Sequence, residues 1–460
     1  MSLFKRRLIY LTFMLLFVLI APMLILYANG YRFDWNQKTL YKTGLLVIEY
    51  LPKDATLMID DTAMATKSPA RIGGLTPRNY TIRIEKEGYF SWEKRLWIPE
   101  YTTTFVRHVN LFKQSLPVHT DAMLTQFAPH PVHALVAVAR VAPDGIHVER
   151  MTPRGTTTIP NLPIFTEVTT LSWSHQGQWL LVIGKSGGQT ITRIVPLDEQ
   201  APIVPLESFV TMPLTRLTWD ATNDDTLAGY TKIGKGVFLV TMNVDDKKVE
   251  QSIVPEQSYD LPFILDKDRV IILTPDHNGE TTAIFRARIP SDKTIEQRVT
   301  IPSAPNDLRV TAEQEHLLTL LDTRTKRAYL IEREPRTTPP VIETFSNVLG
   351  TAWSPNGRRL AYWNDQEIFL WDLERNTKER IARVEDLIES VFWHPSNEYI
   401  FTKTKKTVDI LEIDGRDHRN LVSLAKMQIA GTAAVDTKGQ WLAIWDLFSA
   451  TTGVDWYEIK

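Results

Sequence analysis

Residues 353–373 read WSPNGRRLAYWNDQEIFLWDL, and the pattern within them is the clearest indication of the fold. Trp353 precedes the turn residues Ser354-Pro-Asn-Gly357, and an apolar, strand-like run follows them. A second apolar run, Glu367–Trp371, comes after the polar residues 364–366. Such runs, separated by Pro, Asn, Asp and Gly, predict strands joined by tight turns. The same order of aromatic residue and turn returns at Trp173-Ser-His-Gln-Gly177, Trp219-Asp220 and Trp393-His-Pro-Ser-Asn397.

The chain from about Leu116 onward contains eight related β segments whose starting positions lie 39 to 46 residues apart. They are Gly145–Val148, Thr190–Ile194, Gly236–Val240, Thr282–Phe285, Ala328–Ile331, Glu367–Trp371, Thr407–Ile410 and Gly453–Trp456. A period of about 40–45 residues made of strands and polar turns is that of a four-stranded propeller blade. We therefore expect a mainly β protein in which residues 114–460 form a β-propeller of eight blades, with seven blades as the alternative.

The repeated units resemble the WD-repeat and TolB-like propeller families, most closely at Trp353-Ser-Pro-Asn-Gly357 with Leu370-Trp-Asp-Leu373. The Gly-His pair of strict WD repeats is missing. The tryptophans recur at equivalent positions, which indicates packing between blades rather than a single ligand platform.

A candidate outer strand follows each of the first seven segments, but none follows the eighth before Lys460. An open sheet edge invites aggregation. We therefore expect Ser115–His119 to supply the missing strand and to join the two ends of the ring.

The first thirty residues predict a membrane anchor. No Asp, Glu, Lys or Arg occurs from Leu8 to Tyr31, and a helix of that length, roughly 36 Å, crosses a hydrocarbon core of about 30 Å. The alternative is a cleaved signal peptide, but the apolar region of a signal peptide is shorter. Lys5, Arg6 and Arg7 should stay on the cytoplasmic side by the positive-inside rule. The expectation is a single-pass protein of the cytoplasmic membrane, with its N-terminus inside and its later domains outside.

The predicted organisation has five parts. Residues 1–7 are a cytoplasmic basic stub, 8–30 the transmembrane helix and 31–43 a linker or hairpin; 44–113 form a small β domain and 114–460 the propeller. Within the small domain the β-rich runs are 45–50, 56–60, 80–85 and 95–98.

Residues 44–110 resemble the PEGA domain. The motif includes Pro52-x-x-Ala55, Leu57-x-Ile59-Asp60, Ser68-Pro69 and Tyr80-x-Ile82-x-Ile84-x-Lys86-x-Gly88-Tyr89, followed by Trp92. The tetrapeptide that names the family is Pro52-Lys53-Asp54-Ala55 here, and the usual Asp-Gly turn is Asp60-Asp61. The resemblance implies a β-sandwich-like binding module of the cell envelope.

Composition and motifs point away from several chemistries. There is no cysteine, so thiol nucleophiles and disulfides are excluded, and a net charge of −2 is not that of a nucleic-acid-binding protein. Residues 184–188 fit G-x-S-x-G, but we interpret them as a hairpin loop because that motif requires a strand–turn–helix elbow. His130 and His133 lack a third ligand nearby, and Asp276–Glu280 is predicted to be a plain turn. We expect no catalytic, cofactor-binding or metal-binding residues, and no cofactor.

Residues 71–113 hold eight Lys and Arg against four Glu. Contact with anionic lipid or cell-wall polymer is one interpretation, and ordinary outward strand positions are the other. The leading hypothesis is a non-enzymatic envelope protein that binds protein or polymer partners through the propeller and the small β domain. The rivals are an extracytoplasmic propeller hydrolase or lyase and a membrane-coupled sensor or assembly factor.

Overall fold

The computed structural model describes residues 3–28, 30–34, 39–220, 223–254, 263–266, 269–275, 278, 280–287, 297–313, 317–332, 341–426, 430–446 and 452–460. The chain divides into two compact units. The first comprises Met1–Gln114, Asp414–Asn420 and Lys460, and the second comprises Ser115–Ile413 and Leu421–Ile459.

A single helix begins the first unit. Helix α1 spans Leu3–Ala28 and contains Pro22, and its apolar side chains from Ile9 to Tyr27 are largely exposed. The stretch Ile9–Ala28 is long and apolar enough to cross a membrane. The helix is therefore a candidate membrane anchor or signal sequence. A short antiparallel hairpin of β1 (Tyr31–Asp34) and β2 (Thr39–Lys42) follows it, where a linker or hairpin was predicted.

Seven strands then form two packed sheets. One sheet has the order β5-β4-β7-β8, and in the other β3 lies between β6 and β9. Their bounds are β3 (Gly44–Leu51), β4 (Thr56–Ile59), β5 (Thr62–Met64), β6 (Ala70–Leu75), β7 (Arg78–Glu85), β8 (Trp92–Ile98) and β9 (Thr103–Asn110). Alternate residues of the strands, such as Leu46, Ile48, Ile82 and Ile84, are fully buried between the sheets. This period-two burial is what the sequence predicts for a sheet with one covered face.

All four strands predicted in this domain are present. Strands β5, β6 and β9 are additional to them. Strand β9 pairs in parallel with β3, more than fifty residues earlier in the chain, so no local turn signal marks that pairing.

The second unit consists of eight four-stranded antiparallel sheets. Sheets 1 to 4 contain β11 (Leu124–Pro129), β12 (Val136–Ala142), β13 (Gly145–Thr152), β14 (Gly155–Thr158); β15 (Glu167–Trp173), β16 (Trp179–Ser186), β17 (Gln189–Pro196), β18 (Val204–Pro205); β19 (Thr215–Trp219), β20 (Thr226–Ile233), β21 (Gly236–Asn243), β22 (Lys248–Val254); β23 (Phe263–Asp266), β24 (Arg269–Pro275), β25 (Thr281–Ala287) and β26 (Gln297–Ile301).

Sheets 5 to 8 contain β27 (Leu308–Glu313), β28 (Leu317–Asp322), β29 (Arg327–Glu332), β30 (Val341–Ser346); β31 (Gly350–Trp353), β32 (Arg359–Trp363), β33 (Glu367–Asp372), β34 (Thr377–Arg383); β35 (Ile388–Trp393), β36 (Tyr399–Thr404), β37 (Thr407–Glu412), β38 (Leu421–Lys426); β39 (Ala430–Val435), β40 (Trp441–Asp446), β41 (Gly453–Glu458) and the earlier β10 (Val118–Asp121). Each of the eight predicted segments starts within one residue of the start of the third strand of a sheet.

Sheet 8 combines strands from both ends of the second unit. Strand β10 pairs with β41, with Val118 opposite Trp456 and Asp121 opposite Gly453. The strand expected at residues 115–119 is therefore present three residues later, and its partner is the expected one. Ser115 adds a hydrogen bond of 2.8 Å from its Oγ to the carbonyl of Glu458.

Successive sheets share apolar cores. Separate clusters of buried side chains join sheets 1 and 2, 2 and 3, 3 and 4, 4 and 5, 5 and 6, and 6 and 7. Sheet 8 packs on sheet 1 through Val454 and Trp456 against Val136 and Val138. A Cβ at Gly439 of sheet 8 would meet the ring of His394 in sheet 7. Six pairs of successive sheets thus share an apolar core, sheet 8 packs on sheet 1, and one turn of sheet 8 lies beside His394 of sheet 7.

The connections between strands lie at two opposite ends of each sheet, which we call the cap end and the link end. The cap end holds the connections between first and second strands and between third and fourth strands. The link end holds the connections between second and third strands and those between successive sheets.

Candidate functional site

One polar residue occupies the same place in the first turn of six sheets, directly after the first strand at the cap end. These residues are His130, Ser174, Asp220, Ser354, His394 and Asp436, and all six are buried. Each accepts hydrogen bonds from backbone N–H groups of its own turn: Ser174 Oγ from Trp179 at 3.0 Å, and Asp436 Oδ1 from Gln440 at 2.7 Å. Buried backbone donors need such partners. These six residues therefore stabilise their turns. Because they are buried and hydrogen-bonded to the backbone, they are poor candidates for catalytic groups.

His130 illustrates this role. Its Nδ1 accepts from the backbone N–H groups of Val132 and His133, both at 3.0 Å, so its Nε2 carries the proton and donates to the carbonyl of Gly177, also at 3.0 Å. Burial lowers the pKa of His130 to about 4 and keeps the ring neutral. Both ring nitrogens of His130 are engaged in these hydrogen bonds, so neither is available to a metal ion in this arrangement.

Three of the four tryptophans at the ends of first strands bridge neighbouring sheets by hydrogen bonds, whereas the indole N–H of Trp353 has no such partner. The indole Nε1 of Trp173 donates to the carbonyl of Ala128 at 3.0 Å, that of Trp219 to Ser172 at 2.9 Å and that of Trp393 to Ala352 at 2.9 Å. In each case the acceptor lies in the first strand of the preceding sheet. The prediction that these tryptophans are wedges between repeated units is confirmed.

The link end has a different recurring feature, a β-bulge near the start of the first strand. The register shifts at this place in sheets 1, 2, 3, 5, 7 and 8. In sheets 1 and 2 the extra residue is a threonine whose hydroxyl donates to a carbonyl of the second strand, Thr125 to Ala139 and Thr169 to Ile183. Bulges bend a strand and re-aim its side chains, and they are common beside binding sites.

Sheets 3 and 7 carry charged residues in the bulge. Arg216 is exposed and has a positive φ of 54°, and Glu389 pairs with the nearly buried ammonium group of Lys403. The β-bulge is thus repeated from sheet to sheet, while the side chain of the bulged residue varies. Side-chain variation on a fixed scaffold is the usual basis of recognition by loops.

Exposed apolar side chains accompany these bulges. Met123, Ile164, Ile233 and Leu387 are exposed, and all four lie in connections or strand termini at the link end. The charges around them are paired, as in Lys406 with Asp386 at 2.8 Å and Lys185 with Glu167 at 2.7 Å. We call this set of bulges and exposed apolar residues the link-end surface. The motifs considered above do not include this surface. Its one signal in the sequence is the position of Thr169 and Glu389, each four residues before a turn tryptophan.

The basic strands of the small β domain are largely engaged in ion pairs. Arg78 pairs with Asp60 at 2.6 Å, Arg83 with Glu93 at 2.6 Å and Lys86 with Asp54 at 2.8 Å. Exposed pairs of this kind contribute little stability, but Asp54 and Asp60 lie outside residues 71–113 and offset part of the charge excess noted in the sequence. This favours the interpretation of ordinary outward strand positions.

The G-x-S-x-G stretch is a hairpin, as predicted. Gly184 and Ser186 lie in β16, and Gly187 and Gly188 form the turn with φ of 58° and 81°. Ser186 donates to the carbonyl of Ile164 at 2.8 Å. In the part of the chain that the structure describes, no group of three His, Asp or Glu residues could hold a metal ion. The predicted turn at Asp276–Glu280 lies partly outside the described residues.

Comparison with known proteins identifies one domain. Residues 43–111 match the PEGA domain, which confirms the resemblance seen in the sequence. No curated protein matches the chain. Among solved structures, a chain in the crystal structure of a mitotic checkpoint complex is similar to 74% of this chain, over 94% of its own length, with a TM-score of 0.43 and 12% identity. The chain is thus mainly β, with one N-terminal apolar helix and a PEGA domain.

Proposed function

We propose that this protein is a single-pass membrane protein of the cell envelope that binds protein or polymer partners outside the cytoplasm. Its PEGA domain and an eight-bladed β-propeller would provide the binding surfaces, without catalysis. The observation that carries the proposal is the exposed apolar helix Leu3–Ala28, which is followed after one short hairpin by a PEGA domain.

The helix supports anchoring because its apolar surface is not covered by any described part of the chain. Side chains from Ile9 to Tyr27 are exposed all round, whereas a core helix would bury one face. Lys5, Arg6 and Arg7 precede the apolar stretch, which favours a cytoplasmic N-terminus. PEGA domains are typically extracellular, which agrees with that orientation.

The packing of the eight sheets supports a closed propeller. Six pairs of successive sheets share an apolar core, and sheet 8 contacts both sheet 7 and sheet 1. The hydroxyl of Thr437 in sheet 8 also donates to the carbonyl of Val132 in sheet 1 at 2.8 Å. A sheet composed of the first and last strands would close such a ring without leaving an edge.

The link-end surface supports binding rather than chemistry. The polar residues repeated at the cap end are buried and hydrogen-bonded within their turns. The link end, in contrast, exposes apolar side chains, and its β-bulges carry different side chains from sheet to sheet. A broad rigid surface of this kind suits contacts with a macromolecule.

The test compares two leucines of sheet 7. Leu387 lies at the link end and Leu421 on the outer strand, and their exposed fractions are similar, 53% and 59%. The intact protein, purified in detergent, should be retained by envelope fractions, and Leu387→Ser together with Met123→Ser should reduce that retention. Leu421→Ser should not. Equal loss in both variants would contradict a link-end binding surface, and turnover of cell-wall polymers, glycosides, peptides or esters would contradict a non-enzymatic role.

A further inference from the structure

The hairpin directly after the helix exposes an apolar pair on a sheet that contains only two strands. Phe33 lies opposite Leu40, and cross-strand partners project from the same face. Their exposed fractions are 46% and 48%. An isolated two-stranded hairpin is marginally stable in water, so an exposed apolar pair on it is costly.

The chain fixes this hairpin close to the end of the helix. Only two residues lie between Ala28 and Tyr31, and the three Cα–Cα steps span at most about 11 Å when fully extended. The backbone N–H of Gly30 donates to the carbonyl of Tyr27 at 3.1 Å, and the carbonyl of Gly30 accepts from the N–H of Thr43 at 2.9 Å. The base of the hairpin is thereby tied to the last helical turn.

Basic and aromatic side chains converge at the same junction. The guanidinium of Arg32 lies 3.8 Å above the ring of Tyr27 and donates to the Tyr27 carbonyl at 3.1 Å. The ammonium of Lys42 lies 4.3 Å from the ring centre of Tyr101, whose pKa is raised by a hydrogen bond with Tyr31. Tyrosines with basic neighbours are typical of the boundary between lipid headgroups and acyl chains.

We propose that the Tyr31–Lys42 hairpin is an interfacial lipid-binding element, with Phe33 and Leu40 inserted at the headgroup–acyl boundary of the leaflet from which the helix emerges. The short connection to a helix whose last turns also expose apolar residues, such as Leu24 and Ile25, selects lipid as the occupant. The inserted hairpin fixes the depth at which the PEGA domain begins. This inference rests on the proposal that the helix spans a bilayer.

The test uses the absence of cysteine from the chain. The full-length variants Leu40→Cys and Phe33→Cys are each labelled with an environment-sensitive fluorophore and reconstituted into phosphatidylcholine–phosphatidylglycerol vesicles. We expect a blue shift in emission and quenching by lipids with a nitroxide near the carbonyl group, with loss of quenching by aqueous iodide. A label at Glu49→Cys, on an exposed position of β3, should show the opposite pattern.

A label at Phe17→Cys, in the middle of the helix, separates the two proposals. Lipid quenching at Phe17→Cys with iodide access at both hairpin positions would overturn the hairpin inference alone. Absence of quenching at Phe17→Cys by lipids that carry the nitroxide deep in the acyl chain would overturn the anchor itself. A hairpin label shielded from both quenchers would assign this face to a protein partner and would also overturn the inference. Circular dichroism of each variant checks that the fold is retained.

Discussion

Asp60 and Asp61 form the turn between β4 and β5, and both have left-handed φ angles, 46° and 61°. Glycine usually occupies such a turn because an L side chain is strained there. Asp60 compensates with its carboxylate, which accepts from the Thr81 N–H at 3.0 Å and from Arg78 Nη2 at 2.6 Å. Asp61 has only an exposed ion pair with Arg83, at 3.2 Å.

These two residues make a matched pair for mutation. Asp60→Ala should reduce the free energy of unfolding of the PEGA domain by about 1–2 kcal/mol more than Asp61→Ala, because only Asp60 satisfies a backbone donor. Both variants place alanine at a left-handed position, so the backbone strain is common to them. Chemical denaturation of the intact protein in detergent measures the difference. Equal destabilisation would show that the hydrogen bonds of Asp60 contribute nothing.

His119 links strands β10 and β41 through its ring. Burial opposes its charge, but hydrogen bonds to Asp455 at 2.6 Å and to Asp121 at 3.0 Å outweigh that effect and raise the pKa of His119 above 6.5. A raised pKa means that the stabilisation is fully present below the unfolded-state value and is lost as pH rises through the folded-state value.

The stability of the second unit should therefore fall as pH rises from about 6.5 through the raised pKa of His119. His119→Gln should remove this part of the pH dependence, and Asp121→Asn should weaken it while leaving the bond to Asp455. Thermal unfolding across this pH window, with an NMR titration of the imidazole, measures both effects. Identical pH profiles for the wild type and His119→Gln would exclude the hydrogen bonds of His119 as the cause.

At the scale of single elements, the first strands depend on the tryptophan bridges. Trp219→Phe keeps an aromatic ring but leaves the carbonyl of Ser172 without its 2.9 Å donor. We expect a loss of about 1–3 kcal/mol, the cost of an unsatisfied buried polar group together with reduced packing. Trp97→Phe, on the exposed face of β8, should change stability little. Denaturant midpoints of the two variants provide the comparison.

The pairing of β10 with β41 can be tested by a disulfide. Thr120 lies opposite Val454, so the double variant Thr120→Cys/Val454→Cys should form a crosslink under oxidising conditions. The oxidised form should gain roughly 2–4 kcal/mol relative to the reduced form, because the link constrains the unfolded chain. The control Thr157→Cys/Val454→Cys places one cysteine on β14 and should not crosslink. A failure of the first pair to oxidise would place β10 elsewhere.

At the scale of the whole molecule, the anchor proposal predicts one orientation. A tag after Lys460 should be digested by protease added to intact spheroplasts, while an epitope fused before Met1 should be protected. The reason is the basic cluster at residues 5–7, which resists translocation. Replacing Lys5, Arg6 and Arg7 by Ser should increase the population with inverted topology. Protection of the C-terminal tag in the wild type would contradict the orientation.

The repeated architecture of the second unit could be predicted from the sequence alone. Eight β segments at regular spacing located the third strand of every sheet, because strand and turn propensities are local and every repeat restates them. The charge-free N-terminal run likewise located helix α1, and the Lys86-x-Gly88-Tyr89 motif located the PEGA domain.

The pairing of strands far apart in the chain is evident only in the folded structure. The same holds for which polar side chains remain available to bind a ligand. The pairing of β9 with β3 and the hydrogen bond from His130 to Gly177 depend on contacts between segments far apart in the chain. The bulges at Thr125 and Thr169 depend on the exact register between neighbouring strands. Hydrogen-bond satisfaction and burial are properties of the assembled core, so a local pattern does not encode them. For the same reason no single local pattern marks the link-end surface, whose bulges and exposed apolar residues come from separate sheets and lie at the same end of them.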